Sequence, residues 1–187
     1  MDEQLERRLR ELLDKQEITE IIYKNARAVD RRDAPLMSTG FHPDATDDHG
    51  MFQGKASDFV PWVMEVLSTM EMTQHVVGNV LIRLDGDQAT SESYFIAHHL
   101  IKAENGAGIW LGAAEDAADQ FMVAGGRYLD RFEKQDGEWR IVHRHAVFDW
   151  NTEMDSTEKW DRDALDTWVF GKPAPHDASY QLLPTED

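Results

Sequence analysis

The sequence predicts an α+β domain, and three observations carry that prediction. Amphipathic helical periodicity is concentrated before residue 71, valine- and isoleucine-rich runs follow it, and two short turn signals join those runs in pairs. Helices segregated from an antiparallel meander are the pattern of an α+β fold rather than an alternating α/β one. Helices covering one face of a curved sheet leave a concave interior, where ligands usually sit.

The elements follow in order. Residues 3–32 read as a helix, with Leu5, Leu9, Leu12, Leu13, Ile18, Ile21, Ile22 and Ala26 recurring at helical spacing. Asp33-Ala34-Pro35 interrupts the pattern, and Pro35 suits the first turn of a short second helix. Phe41–Ala45 reads as a turn, and residues 47–54 as a short glycine-punctuated hairpin. Residues 57–70 form another amphipathic helix, with Ser57 as its expected N-cap. Strands are then expected at 73–84 and 89–102, joined by Asp85-Gly86-Asp87, and at 126–134 and 138–150, joined by Gln135-Asp136-Gly137. The segment 103–124 fits either a strand with a flap or a short helix. A last helix is expected at 161–170. The chain thus divides into a domain at 1–150 and an extension at 151–187, which packs on that domain or on a neighbouring subunit.

Composition narrows the function classes. The 187 residues suffice for one domain with a core, and a 41% hydrophobic fraction is ordinary for a globular chain. A formal net charge of −17 repels phosphate backbones and anionic lipid, which argues against nucleic-acid and membrane partners. There is no cysteine, so disulfides, thiolate nucleophiles and cysteine-based metal sites are excluded. The N-terminal segment is charged throughout and lacks an apolar signal core, and no apolar run approaches the roughly 20 residues of a bilayer span. A cytoplasmic address is the resulting expectation.

Three segments carry a resemblance: Ile18–Asp33, ending the long helix in aspartate; Thr73-Gln74-His75-Val76-Val77-Gly78-Asn79, with a histidine near the start of a strand; and Gly126–Phe132 continuing through Asp136-Gly137-Glu138-Trp139 to His143-Arg144. In this order they resemble the SnoaL-like family of the nuclear transport factor 2-like superfamily. The pattern is similar to that of hexachlorocyclohexane dehydrochlorinase, bile acid 7α-dehydratase and, more distantly, scytalone dehydratase. The resemblance implies a cone-shaped α+β barrel, with a curved, mainly antiparallel sheet wrapped around the N-terminal helices and enclosing a pocket. It also implies a homo-oligomer, a trimer before a dimer.

Carried over by position, the resemblance implies Asp30, His75 and Arg144 as catalytic residues. Histidine is the natural general base near neutral pH, and a carboxylate on one ring nitrogen fixes its tautomer and leaves the other free. Arg144 would face a developing anion; its alternative is a structural ion pair with Asp30 or Asp130. One departure stands out: Asn25 occupies the place of a lysine or tyrosine in those enzymes, so the leaving-group acid is missing there. Asn25, Tyr23, Trp62, Tyr94 and His98 are the expected substrate-binding residues, although Tyr23 and Asn25, two apart on a helix, point to different faces. Of His98 and His99 only one can face the pocket.

The expected function is a cofactor-independent lyase or isomerase acting on a hydrophobic cyclic or aromatic small molecule, by dehydration, dehydrohalogenation, isomerisation or deformylating C–C cleavage. Neither a cofactor nor a metal is expected: His143/His145 and Asp47-Asp48-His49 lack a third ligand at a recognisable spacing. The rival is a non-catalytic ligand-binding protein, or a small structural subunit of the kind found with ring-hydroxylating dioxygenases. It would have no need for an Asp–His–Arg set converging on a cavity.

Overall fold

The structure is a computed structural model and describes residues 2–103, 118–162 and 164–183. The alternatives for 103–124 lie largely outside them, although Gln120 onward is strand. Helix α1 runs Glu3–Arg31, α2 Ala34–Thr39 and α3 Ala56–Ser68. Strands are β1 Phe41–Asp48, β2 Gln53–Lys55, β3 Met70–Asp85, β4 Gln88–Ile101, β5 Gln120–Gln135 and β6 Glu138–Asp155. They form one six-stranded sheet in the order β2-β1-β6-β5-β4-β3, parallel only between β1 and β6. The sheet is curved and unclosed, and its helices sit at the start of the chain: an α+β cone.

Local chemistry explains the boundaries. Asp2 caps α1 by accepting from the Gln4 N–H, and Arg32 ends it in the left-handed conformation at φ 51°. Asp33 then caps α2, accepting from the Leu36 N–H at 3.0 Å. The β5–β6 turn has positive φ at both Asp136 and Gly137, which matches the right-handed twist of the strands it joins.

The helical stripe of α1 is buried only in its second half, at Ile18, Ile22, Asn25, Ala28 and Val29. Leu5, Leu9, Leu12 and Leu13 fit the same period but stay exposed. The core packs Ile18, Ile22, Met37, Phe59, Leu67, Phe132 and Ile141 between the helices and the sheet.

Four expectations are corrected. Phe41–Ala45 is strand rather than turn, because it pairs in parallel with β6. Ser57 does not cap α3; the helix begins at Ala56 and Lys55 gives no side-chain capping bond. The strands run longer than expected, β5 starting at Gln120 and β6 ending at Asp155. The described part of 161–170 forms turns rather than a helix, and its rings gather as Trp160, Trp168 and Phe170. No helix among the described residues is long and apolar enough to cross a membrane.

Candidate active site

The end of α1 delivers Asp30 to the start of β3. Its carboxylate accepts the His75 backbone N–H with both oxygens at 2.9 Å, and Oδ1 meets His75 Nδ1 at 2.8 Å. Both side chains are about nine-tenths buried, His75 being 9% and Asp30 11% exposed. With Nδ1–H donated to the carboxylate, Nε2 is left as a proton acceptor, and no described residue bonds it.

The two side chains border a cleft of about 560 Å³ with Tyr23, Ala26, Arg27, Arg31 and Val77. Tyr23, Ala26, Arg27 and Asp30 share one face of α1 through their three- and four-residue spacing. The tail closes the far side of the cleft with Asp177, Ser179 and Leu183. Arg31 Nη1 donates to Asp177 Oδ2 at 3.0 Å, the Arg27 guanidinium lies 4.5 Å from the Tyr180 ring centre, and the Tyr180 hydroxyl donates to Asp33 Oδ2 at 2.5 Å.

Register decides which strand residues join His75. His75 lies opposite Ala97, so Phe95, Ala97 and His99 share its inner face. The His99 ring stands 5.5 Å from His75, edge to face, and burial together with the nearby His75 and His98 pushes its pKa down to about 3. Tyr94 and His98 fall on the outer face: Tyr94 is exposed and His98 stacks on Phe121. Neither Tyr94 nor His98 lines the cleft, and it is His99 that shares the face of His75. Trp62 lies in a ring cluster with Phe52 and Phe59, away from the Asp30–His75 cleft.

Arg144 is only 2% exposed. Its Nε and Nη2 donate to the two oxygens of Asp130 at 2.8 Å each, Nη1 donates to Asn25 Oδ1, and its guanidinium lies 4.3 Å from the Tyr128 ring centre. Asp47 is its register partner on β1, so two buried carboxylates surround one cation. This is the ion-pair alternative with Asp130. The geometry gives no open cationic face for an anion. Asn25, on the opposite side of α1 from Tyr23, belongs to that buried group and not to the cleft.

A second Asp–His pair lies on the same inner face. Asp47 Oδ1 meets His49 Nδ1 at 2.6 Å, and Asp47 Oδ2 is buried with no partner among the described residues. Sequence reasoning met these residues only as a weak metal motif. Their signal was a carboxylate two residues before a histidine at a strand end. Among the described residues, no group of three or more His, Cys, Asp or Glu side chains is placed to hold a metal ion.

With this arrangement in view, comparison with known proteins identifies the family. The sequence profile of the SnoaL-like domain matches residues 10–145. The chain belongs to the SnoaL-like domain family. An uncharacterised protein of Mycobacterium tuberculosis (strain ATCC 25618 / H37Rv) is 26% identical over 137 residues, 72% of this chain and 84% of its own length. Among solved structures, a type 2 hexachlorocyclohexane dehydrochlorinase superposes with a TM-score of 0.68 at 16% identity, covering 81% of this chain and 96% of that one. A candidate scytalone dehydratase from Novosphingobium aromaticivorans DSM 12444 gives 0.61 at 17% identity, covering 80% and 91%. At such identities the structural likeness speaks for the fold alone, the α+β cone.

Proposed function

We propose that this SnoaL-like protein is a cofactor-independent lyase or isomerase that removes a carbon-bound or hydroxyl proton from a hydrophobic cyclic or aromatic small molecule, with His75 as the base. The observation that carries the reading is the Asp30–His75 hydrogen bond of 2.8 Å at the edge of a cleft. It fixes the tautomer, leaves Nε2 unprotonated and compensates the imidazolium that forms when Nε2 takes a proton. Tyr23 and Val77 offer the cleft an aromatic and an aliphatic wall. Arg144 keeps a supporting place in this proposal, anchoring Asn25 and β5 to β6, rather than the anion-stabilising one. The names of the structural neighbours, a dehydrochlorinase and a candidate scytalone dehydratase, favour elimination over the other proton-abstraction reactions.

The test is turnover without added cofactor on a panel of alicyclic and aromatic β-hydroxy and β-halo ketones. Activity that disappears in His75→Gln, with an unchanged circular dichroism spectrum, is the expected result. Full activity in that variant would refute the base, and an inactive wild type across the panel would favour a ligand-binding module.

A further inference from the structure

The cleft bordered by His75 is lined by two guanidinium groups, Arg27 and Arg31, and two carboxylates, Asp30 and Asp177. Three of these charges are engaged. Arg31 meets Asp177 at 3.0 Å, and Asp30 is taken up by the backbone N–H and the ring of His75. Arg27 is left. It forms an ion pair with no carboxylate among the described residues, and its Nη2 donates only to neutral acceptors, Ser179 Oγ at 3.4 Å and the Leu183 carbonyl at 3.2 Å. Its Nε and Nη1 donate to no described residue.

This guanidinium is nevertheless held in place. It lies 4.5 Å from the centre of the Tyr180 ring, whose hydroxyl is tied to Asp33 Oδ2, while Asp33 Oδ1 caps α2. A planar fork already oriented on a fixed ring loses little freedom when it takes up a ligand. Arg27 precedes Asp30 by one helical turn on the same face of α1, so the cation and His75 front one cleft. Tyr23, Ala26, Val77 and Leu183 give that cleft apolar surface, and Tyr23 and Leu183 are large apolar side chains left exposed. Its volume of about 560 Å³ is in the range of small-molecule sites.

We infer that Arg27 is a substrate-binding residue that receives a carboxylate, which makes the substrate an aromatic or alicyclic carboxylic acid. The inference rests on the reading of His75 as the base and narrows its substrate class. A single uncompensated guanidinium matches a carboxylate, which it can meet with two parallel N–H···O bonds. The greater charge of a phosphate calls for a second cation, and Arg31 is committed to Asp177. With a net charge of −17 the chain as a whole repels anions, so a preference for a carboxylate has to arise from this local contact.

The probes are 4-oxo-4-phenylbutanoate and its amide, 4-oxo-4-phenylbutanamide, which share a ring and a ketone and differ in charge. Calorimetry on the wild type should give a Kd roughly 10–100 times lower for the acid than for the amide. Arg27→Met keeps the unbranched stem but not the fork. It should erase the preference and leave the Kd of the amide within about threefold, because the amide never drew on the charge. A residue that merely holds the tail would, when replaced, weaken both ligands alike, and that result overturns the inference. Equal affinities in the wild type, binding of neither probe, or a preference that survives Arg27→Met overturn it too, as does displacement of the acid by an equimolar amount of inorganic phosphate. The base is read separately on the same acid, by proton NMR in deuterated water: the protons next to the ketone should exchange in the wild type and in no more than the buffer background with His75→Gln. A carboxylate preference without exchange overturns the base and leaves the Arg27 site standing, whereas exchange without a preference does the reverse.

Discussion

Asp30 holds His75 at two points, through the backbone N–H of β3 and through Nδ1 of the ring. One carboxylate thus ties the end of α1 to the start of a strand and sets an imidazole tautomer. The two tasks separate by substitution. Asp30→Asn keeps an oxygen for the backbone N–H but can turn its amide N–H towards Nδ1, which favours the wrong tautomer. Activity on any elimination substrate should fall by roughly 10²–10⁴-fold with little change in the denaturation midpoint. Asp30→Ala removes the anchor as well and should cost about 1–3 kcal/mol in urea unfolding. Equal stabilities of the two variants would contradict this division.

The Arg144–Asp130 pair is expected to show its weight in stability. Both side chains are essentially inaccessible, 2% and 0% exposed, so removing one partner leaves a charge without compensation. Arg144→Met should lose about 3–5 kcal/mol, and the double variant Arg144→Met/Asp130→Leu should recover much of that loss. Urea midpoints for the four proteins of this cycle decide it; additive losses would show the two groups to be independent.

How far these residues were legible in the sequence depends on what each one required. Asp30 and His75 could be paired because a helix end and a strand start have definite positions in the resembled fold. Arg144 was harder. Alternation along β6 places Arg144 with Val142, but the β5–β6 register shifts between Arg131 and Phe132, so Ile141 and Arg144 are buried on one face. Tyr94, His98 and His99 needed a register that no single strand contains. The leucines at 5, 9, 12 and 13 have helical period but nothing over them, since periodicity gives a face and not its cover. Asp47 and His49 became a pair only when the hairpin turned the ring back onto the strand.

The tail is held by Asp177, which accepts from Arg31 Nη1, from the Lys172 N–H and from the Ser179 N–H and hydroxyl. Those bonds, led by the one from Ser179, keep its carboxyl well below the usual carboxylate range. Asp177→Ala should free the segment around Lys172. With about 1–3 kcal/mol of local holding energy removed, chymotrypsin should cut after Phe170, two residues before Lys172, roughly 10–100 times faster. Digestion followed by mass spectrometry measures this directly, and an unchanged rate would mean that other contacts hold the tail in place.

His99 gives the fold a pH dependence of predictable sign. Burial, then the charges of His75 and His98, lower its pKa to about 3 in the folded protein, against about 6.5 in the unfolded chain. Between those values the unfolded state binds the extra proton, so the stabilisation is whole above pH 6.5 and drains away as pH falls towards 3. The slope approaches about 1.4 kcal/mol per pH unit once the unfolded histidine is protonated. Its Nδ1 is also buried without a partner among the described residues, so an apolar side chain of similar size should be tolerated at neutral pH. His99→Leu should therefore match or exceed the wild type at pH 7.5 and gain on it steadily down to pH 5, before most carboxylates titrate. Urea unfolding of both proteins across that interval tests the sign: parallel curves would mean that His99 takes up its proton in the folded state as readily as in the unfolded one.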